Sequence, residues 1–498
     1  MRAAAGVTEE DRSGDVLATS QAGPAAVRGG ALRVGGYVAG SLLSAVSAAL
    51  LLRHLGQVAF GLYITALSLV AIVDGVSDLG LTAIGVREMS LREGERRARY
   101  AQNLLGLRIA VTVIGVFAMV VFAVAVNYRV VVVEGVVVAG VALLLQCATA
   151  SLSISLMSQL RLGWVTAIDL VRQLVFVALV IVFVVVGAGL LAFLALAIPA
   201  AAAALALTVW LVRGDMRLRP SFDRAAWREM LILILPFSAA AAAAVIYFRM
   251  AVIVVSLLVG ARELGDFGAA FRVAEALLVV PGLAASVGFP IFARAARDDR
   301  ERLGYAVNRV FALNLLIGAW AGLCVVIGAR LAIRVLAGPE YRGAGPILAI
   351  QGVAIGASFL TALWGQVLLS LGRLRTILVL NASVLIVGLI AEWGLVLADG
   401  ARGAAIATSS IELVAAVAGG VLVVQSDHRL HLPVAMVPRV ALATALAATA
   451  LLLPIGAIGR LVYATVVYTA AVFALRLVPE EVKREISALW NRYVARPS

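Results

Sequence analysis

Along most of this chain apolar residues come in long runs, and polar ones gather in the short gaps between them. A run of about 20 apolar residues is long enough to cross a bilayer as a helix. On that basis about fourteen helices are expected, over 31–52, 60–86, 103–126, 130–157, 165–187, 189–212, 231–259, 266–293, 306–329, 344–369, 374–398, 403–424, 433–454 and 457–477. Gly187-Ala188-Gly189 separates the fifth run from the sixth, and Asp399-Gly400 with Gly403 separates the eleventh from the twelfth, both in residue types that favour turns. Residues 1–30 are small and polar without periodicity and read as a disordered tail; the first apolar run follows so long a tail, and is followed by so many more, that a cleaved signal peptide is not expected. Residues 479–498 begin with Pro479-Glu480-Glu481, which suits a helix start, and place Val482, Ile486, Leu489, Trp490 and Tyr493 on one face. A short amphipathic helix lying on the membrane surface is expected there.

Composition agrees with the pattern. The 498 residues are 63% hydrophobic and 14% charged, with a mean hydropathy of +1.05, which belongs to helical membrane proteins. No sustained apolar–polar alternation points to a barrel. The formal net charge of +13 is scattered through short loops without an aromatic-interleaved basic stripe, so nucleic acid is excluded as a partner. Cys147 and Cys324 sit inside apolar runs and form neither a disulfide framework nor a metal motif. His428 and His431 share a loop without further ligands, so no metal is expected.

Arginine sets the orientation. One set of alternate loops carries clusters such as Arg92, Arg96, Arg97 and Arg99, Arg213, Arg217 and Arg219, and Arg294, Arg297, Arg300 and Arg302. The opposite set carries only Arg53, Arg129, Arg262, Arg330, Arg334, Arg342, Arg402 and Arg460. Cations concentrate on the cytoplasmic side, which puts both termini in the cytoplasm. No loop is long enough for a separate soluble domain.

The chain also echoes itself. Gly56-Gln57-Val58-Ala59-Phe60-Gly61 is similar to Leu264-Gly265-Asp266-Phe267-Gly268, and Ser155–Arg161 to Gln366–Arg373. An offset of six spans preserves orientation, so two parallel lobes are expected, related by an axis along the membrane normal. The organisation is then a tail at 1–30, a six-helix lobe at 31–229, a second at 230–430, two further spans at 431–478 and the surface helix at 479–498. The fold class is all-α, a polytopic membrane protein.

Charged residues inside spans are costly and face a bundle interior or a wet cavity. Arg249 in the seventh span and Arg272 in the eighth suggest a cavity for something negative. A guanidinium stays charged when desolvated and can bond two phosphate oxygens at once. The bland alternative pairs Arg272 with Glu275 one turn away, and Arg249 with a neighbouring acid or carbonyl. The acids Asp74 and Asp78, four apart in the second span, and Glu412 in the twelfth are candidates for exchanging a proton or sodium ion, as is Glu275; Glu392 is expected to reach the interface. No organic cofactor is expected.

Arg53-His54-Leu55-Gly56, Phe60-Gly61-Leu62-Tyr63, Asp78-Leu79-Gly80-Leu81, Tyr247-Phe248-Arg249-Met250 and Gly268–Arg272 recur in an order and spacing that resembles the polysaccharide-biosynthesis flippases. These are the oligosaccharide-lipid (Wzx-type) branch of the multidrug/oligosaccharidyl-lipid/polysaccharide (MOP) exporter superfamily. Gly338-Pro339-Glu340-Tyr341, Leu371-Gly372-Arg373 and Gly403–Thr408 continue the likeness. The resemblance implies a two-lobed bacterial plasma-membrane transporter that turns undecaprenyl-pyrophosphate-linked sugar units to the outer leaflet. Arg249 and Arg272 would then meet the pyrophosphate. Membrane lipids and polysaccharide polymerase machinery are the further partners it implies. Competing expectations are a lipid II flippase, an organic-cation antiporter, which would want acids in its cavity, and a membrane glycosyltransferase or polymerase, which would want a large outer loop.

Overall fold

A computed structural model of the chain describes residues 22–78, 80–214, 219–298, 300–427 and 430–477. The surface helix expected at 479–498 lies outside these residues, as does 1–21 of the expected tail. Among the described residues the chain is helical, without strands, and runs through fourteen α-helices. They are α1 (Ala22–Asp78), α2 (Leu81–Leu91), α3 (Gly94–Ala125), α4 (Val130–Ser158), α5 (Leu162–Val186), α6 (Leu190–Ala195) and α7 (Ala197–Val212). Then follow α8 (Arg224–Leu258), α9 (Ala261–Asp298), α10 (Arg300–Leu336), α11 (Ala344–Ser370), α12 (Leu374–Ser426), α13 (Met436–Ala448) and α14 (Ala457–Ala474). The first helix begins at Ala22, so 22–30 are helical where a disordered tail was expected.

Eleven helical stretches among the described residues are long and apolar enough to cross a membrane. Two of them, Ala39–Leu91 and Leu374–Ser426, run to 53 residues. At 1.5 Å per residue each would measure about 80 Å, far more than the ~30 Å hydrocarbon core. Both contain a break at a glycine with positive φ: Gly56 (φ 68°) and Gly400 (φ 53°). The break at Gly400 turns the chain back on itself. Glu392 and Thr408, sixteen residues apart, share a 3.3 Å hydrogen bond, whereas in a straight helix they would lie about 24 Å apart. A stretch of this length broken at a glycine has room for two passes. With the apolar stretch Met436–Leu452, the described residues have apolar length for about fourteen passes.

The described residues fall into two compact units. One comprises those of Met1–Ser47, Gly80–Val120 and Val137–Ile234. In it Leu156, Val165, Ile168, Ala204 and Val212 of α4, α5 and α7 close an apolar core. Buried Arg108 on α3 donates to Thr82 on α2 at 3.2 Å. Asp223 begins α8 by accepting the Ala225 N–H at 2.9 Å, which satisfies a donor that a helix start leaves open.

The other unit comprises the described residues of Ala48–Leu79, Val121–Val136 and Leu235–Ser498. One core centres on Trp364, packed with Phe292, Phe311 and Val423. Its indole N–H donates to the Ala416 carbonyl at 2.8 Å. A second core joins α10 to α13 and α14 through Leu323, Ala443, Ala447, Ala464 and Tyr468. Small residues suit such contacts, since helices in lipid gain by close packing rather than by escaping water.

The two echoed segments meet in this unit. Gly61 packs on α9, where an added Cβ would lie 2.8 Å from the Ala261 carbonyl oxygen, and Gly268 packs on Ile64. At Gly265 a Cβ would run into the Gln57 backbone, so only glycine allows this approach. Gln57 then bonds Asp266 at 3.1 Å and the Glu340 carbonyl at 2.7 Å.

Candidate functional site

Helices α8 and α9 bring the two predicted arginines to one carboxylate. Arg272 and Glu275 are one turn apart on α9 and bond at 2.6 Å. Arg249, from α8, donates to the other oxygen of Glu275. The acid thus bridges both guanidinium groups, and the bland pairing expected for each arginine is realised on a single partner. Formal charges leave the cluster at +1. The side chains are 16% exposed for Arg249, 20% for Glu275 and 34% for Arg272. The guanidinium carbon of Arg249 also lies 5.3 Å from the ring centre of Phe248 and 5.6 Å from that of Phe271. An aromatic face attracts a cation at this range, so Arg249 is held on two sides.

Those same aromatics form part of the wall of a cavity of about 320 Å³ that also meets Tyr247, Gln351, Glu392, Thr408 and Glu412. A second cavity of about 320 Å³ adjoins it, and Tyr247, Leu278 and Glu412 line both. The hydroxyl of Thr361 donates to Glu412 at 2.6 Å. Glu392 does not reach an interface, contrary to expectation: it is 1% exposed. The fold-back at Gly400 turns it inwards, where Thr408 serves one oxygen while the other has no hydrogen-bond partner. The Gln351 side-chain oxygen is likewise buried and unsatisfied, and the buried Tyr247 hydroxyl faces Glu412. Several oxygen atoms therefore converge on one enclosed space, and among the described residues no arginine or lysine lines it. Such a space suits a proton, a water or a small cation.

Asp74 and Asp78 lie on α1, exposed and half-buried respectively, and neither lines the two cavities. Of the four predicted coupling acids, then, only Glu412 faces them. Glu275 sits in the arginine cluster. Gln351 and Glu392 were not singled out as cavity residues, although a glutamine inside an apolar run and the Asp399-Gly400 turn signal are visible in the sequence. Among the described residues no group of His, Cys, Asp and Glu is arranged to hold a metal ion.

Residues 26–296, more than half of the chain, match the family model described as "Polysaccharide biosynthesis protein". Compared by sequence with curated proteins, the chain matches none. Its fold is similar to that of the lipid II flippase MurJ in an inward closed conformation, with a TM-score of 0.72 and 14% identity over 93% of this chain and 100% of that one. It is also similar to an inward-facing multidrug resistance MATE family transporter of the MOP superfamily (TM-score 0.59, 14% identity, 78% and 95% covered). A MOP superfamily transporter from Pyrococcus furiosus, whose binding pocket is described as reversed in polarity, matches at TM-score 0.56 and 17% identity, with 80% and 95% covered.

Proposed function

Because the chain belongs to the polysaccharide biosynthesis protein family, we propose that it carries polyprenyl-pyrophosphate-linked oligosaccharide units across the bacterial cytoplasmic membrane by alternating access. The observation that carries this reading is the Arg249–Glu275–Arg272 cluster, a net cation within two membrane-spanning helices. A pyrophosphate cannot enter hydrocarbon with its charge unmatched. Arg272, a third exposed, is the group it meets first. Displacing Glu275 from one guanidinium frees a planar fork that can bond two phosphate oxygens. Glu275 serves as the resident counter-ion that holds both arginines in place until the headgroup arrives. The loop arginines orient the chain with both termini in the cytoplasm, so the headgroup is loaded from the inner leaflet. The similar lipid II flippase fits the same cationic logic; an organic-cation exporter would be repelled by it.

Inner-leaflet accumulation of lipid-linked oligosaccharide in cells carrying Arg249→Ala, Arg272→Ala and the Lys replacements provides the test. Both Ala variants are expected to accumulate the intermediate. Lysine, a point charge without the fork, is expected to restore only part of the export. Wild-type export in both Ala variants would refute the proposal.

A second element of the reading concerns energy. The cavity holding Glu392, Gln351 and Glu412 shares Phe248 and Phe271 with the arginine cluster. Proton or sodium occupancy there is proposed to couple to headgroup movement through that wall. Export in vesicles that ignores both gradients would remove this element while leaving the first intact.

A further inference from the structure

A third cavity, of about 430 Å³, lies where α10 ends and α11 begins. Three arginines line it: Arg330 and Arg334, one turn apart near the end of α10, and Arg342 in the connecting loop. All three are exposed, and no acid lines the cavity. The two acids nearby are directed elsewhere. The Glu340 carboxylate lies towards Gly56, where an added Cβ would come within 3.9 Å of it. Asp266 accepts from Gln57 at 3.1 Å and rests on the backbone of Gly343. Like charges one helical turn apart repel one another, and a third beside them adds to that. The closing of α10 by a negative dipole end offsets part of this.

The cluster is also held in place. Tyr341 is fully buried and donates to the Leu52 carbonyl at 2.9 Å. Its ring meets Phe60 edge-on at 6.5 Å. Gln57 donates to the Glu340 carbonyl, and Arg53 to the Val335 carbonyl at the end of α10. The stem of Arg330 lies over Gly345, whose missing side chain makes the room. A loop pinned on both sides of Arg342 presents its guanidinium beside two others at little entropic cost.

We infer that this cavity is a phosphate-binding site, separate from the Arg249–Arg272 cluster, with which it shares no lining residue. Three guanidinium groups around a space of this size suit a phosphate or pyrophosphate anion, which arginine bonds through paired N–H groups. Two sources offer that chemistry: the phosphate of an anionic membrane lipid, and a pyrophosphate that is soluble or attached to a transported lipid. By the loop-charge orientation the site opens towards the outer leaflet, where a carried headgroup would arrive last.

Arginine labelling with phenylglyoxal, read residue by residue by mass spectrometry, tests this on the intact wild-type protein. One arm adds inorganic pyrophosphate to detergent-solubilised protein. The other compares nanodiscs of phosphatidylcholine with nanodiscs containing phosphatidylglycerol. Labelling of Arg330, Arg334 and Arg342 is expected to fall about tenfold at ligand concentrations about ten times Kd. Protection by pyrophosphate supports the soluble or carried source; protection only in phosphatidylglycerol supports the lipid source. Unchanged labelling of all three in both arms overturns the site, and protection of Arg249 and Arg272 alone overturns it while upholding the transport reading. The double variant Arg334→Gln/Arg342→Gln is expected to weaken pyrophosphate binding about a hundredfold, since each lost charge-assisted bond is worth roughly a decade. Wild-type affinity in a folded double variant counts against the site.

Discussion

Two charged constellations share the aromatic wall of Phe248 and Phe271, and they deal with charge in opposite ways. On one side Glu275 is bridged by two arginines and held from two helices. On the other, Glu392 and Glu412 meet hydroxyls, that of Thr408 for the first and those of Thr361 and Tyr247 for the second. Inside a low-dielectric bundle a paired ion resists change, because removing either partner strands the other. An acid met only by hydroxyls is adaptable, because a proton or a cation can enter and leave. On the function proposed here, the arginine cluster holds its charge while a ligand arrives, and the acid cavity alters its charge during a cycle.

Removing the bridge gives the largest expected effect. Glu275→Ala leaves Arg249 and Arg272 facing each other with no acid between them. Breaking a buried ion pair on one side costs about 3–5 kcal/mol, reduced here because Arg272 is a third exposed and solvent screens it. Thermal unfolding of the purified protein should show a midpoint well below wild type. A midpoint equal to wild type would mean that the bridge contributes nothing and that the two sides of the wall do not differ as described.

An intermediate effect is expected from Thr361→Val. The substitution keeps the shape and removes the hydroxyl that donates to Glu412 at 2.6 Å. Leaving a buried acceptor short of its donor costs about 1–3 kcal/mol. The ion dependence of transport should shift as well, since Glu412 lines both cavities. A stability loss as large as that of Glu275→Ala would blur the distinction, for it would show Glu412 to be as firmly fixed as the paired acid.

Much of this was legible in the chain, and the limits are physical. Spans could be counted because hydrocarbon demands a fixed apolar length, and the Asp399-Gly400 turn was visible because turns favour those residues. Arg249, Arg272 and Glu412 stood out as charges where charge is expensive. Their partners were another matter. Glu275 was expected to pair with Arg272 from helical spacing, whereas its reach to Arg249 depends on how α8 packs on α9. Glu392 was read as an interfacial residue from its nearness to the span end, and only the fold-back that brings Thr408 beside it shows it to be buried. Gln351 carries no charge to draw attention, and its unsatisfied oxygen exists only once its neighbours are in place.

The smallest stability effect, and the sharpest test of the contrast, belongs to Glu392→Gln. The amide has the shape of the acid and can still accept from Thr408, while its NH₂ group adds a donor to a cavity that Gln351 also lines. Replacing an unpaired buried acid by a neutral isostere costs little and often stabilises. Stability should therefore stay within about 1 kcal/mol of wild type or rise. Function should part from stability here. If Glu392 exchanges a proton or cation, the variant loses dependence of transport on an imposed proton or sodium gradient while its unfolding midpoint holds. Glu275→Ala, by contrast, should lower both together. A Glu392→Gln protein that unfolds early yet keeps its gradient response would reverse the assignment and make Glu392 a structural acid.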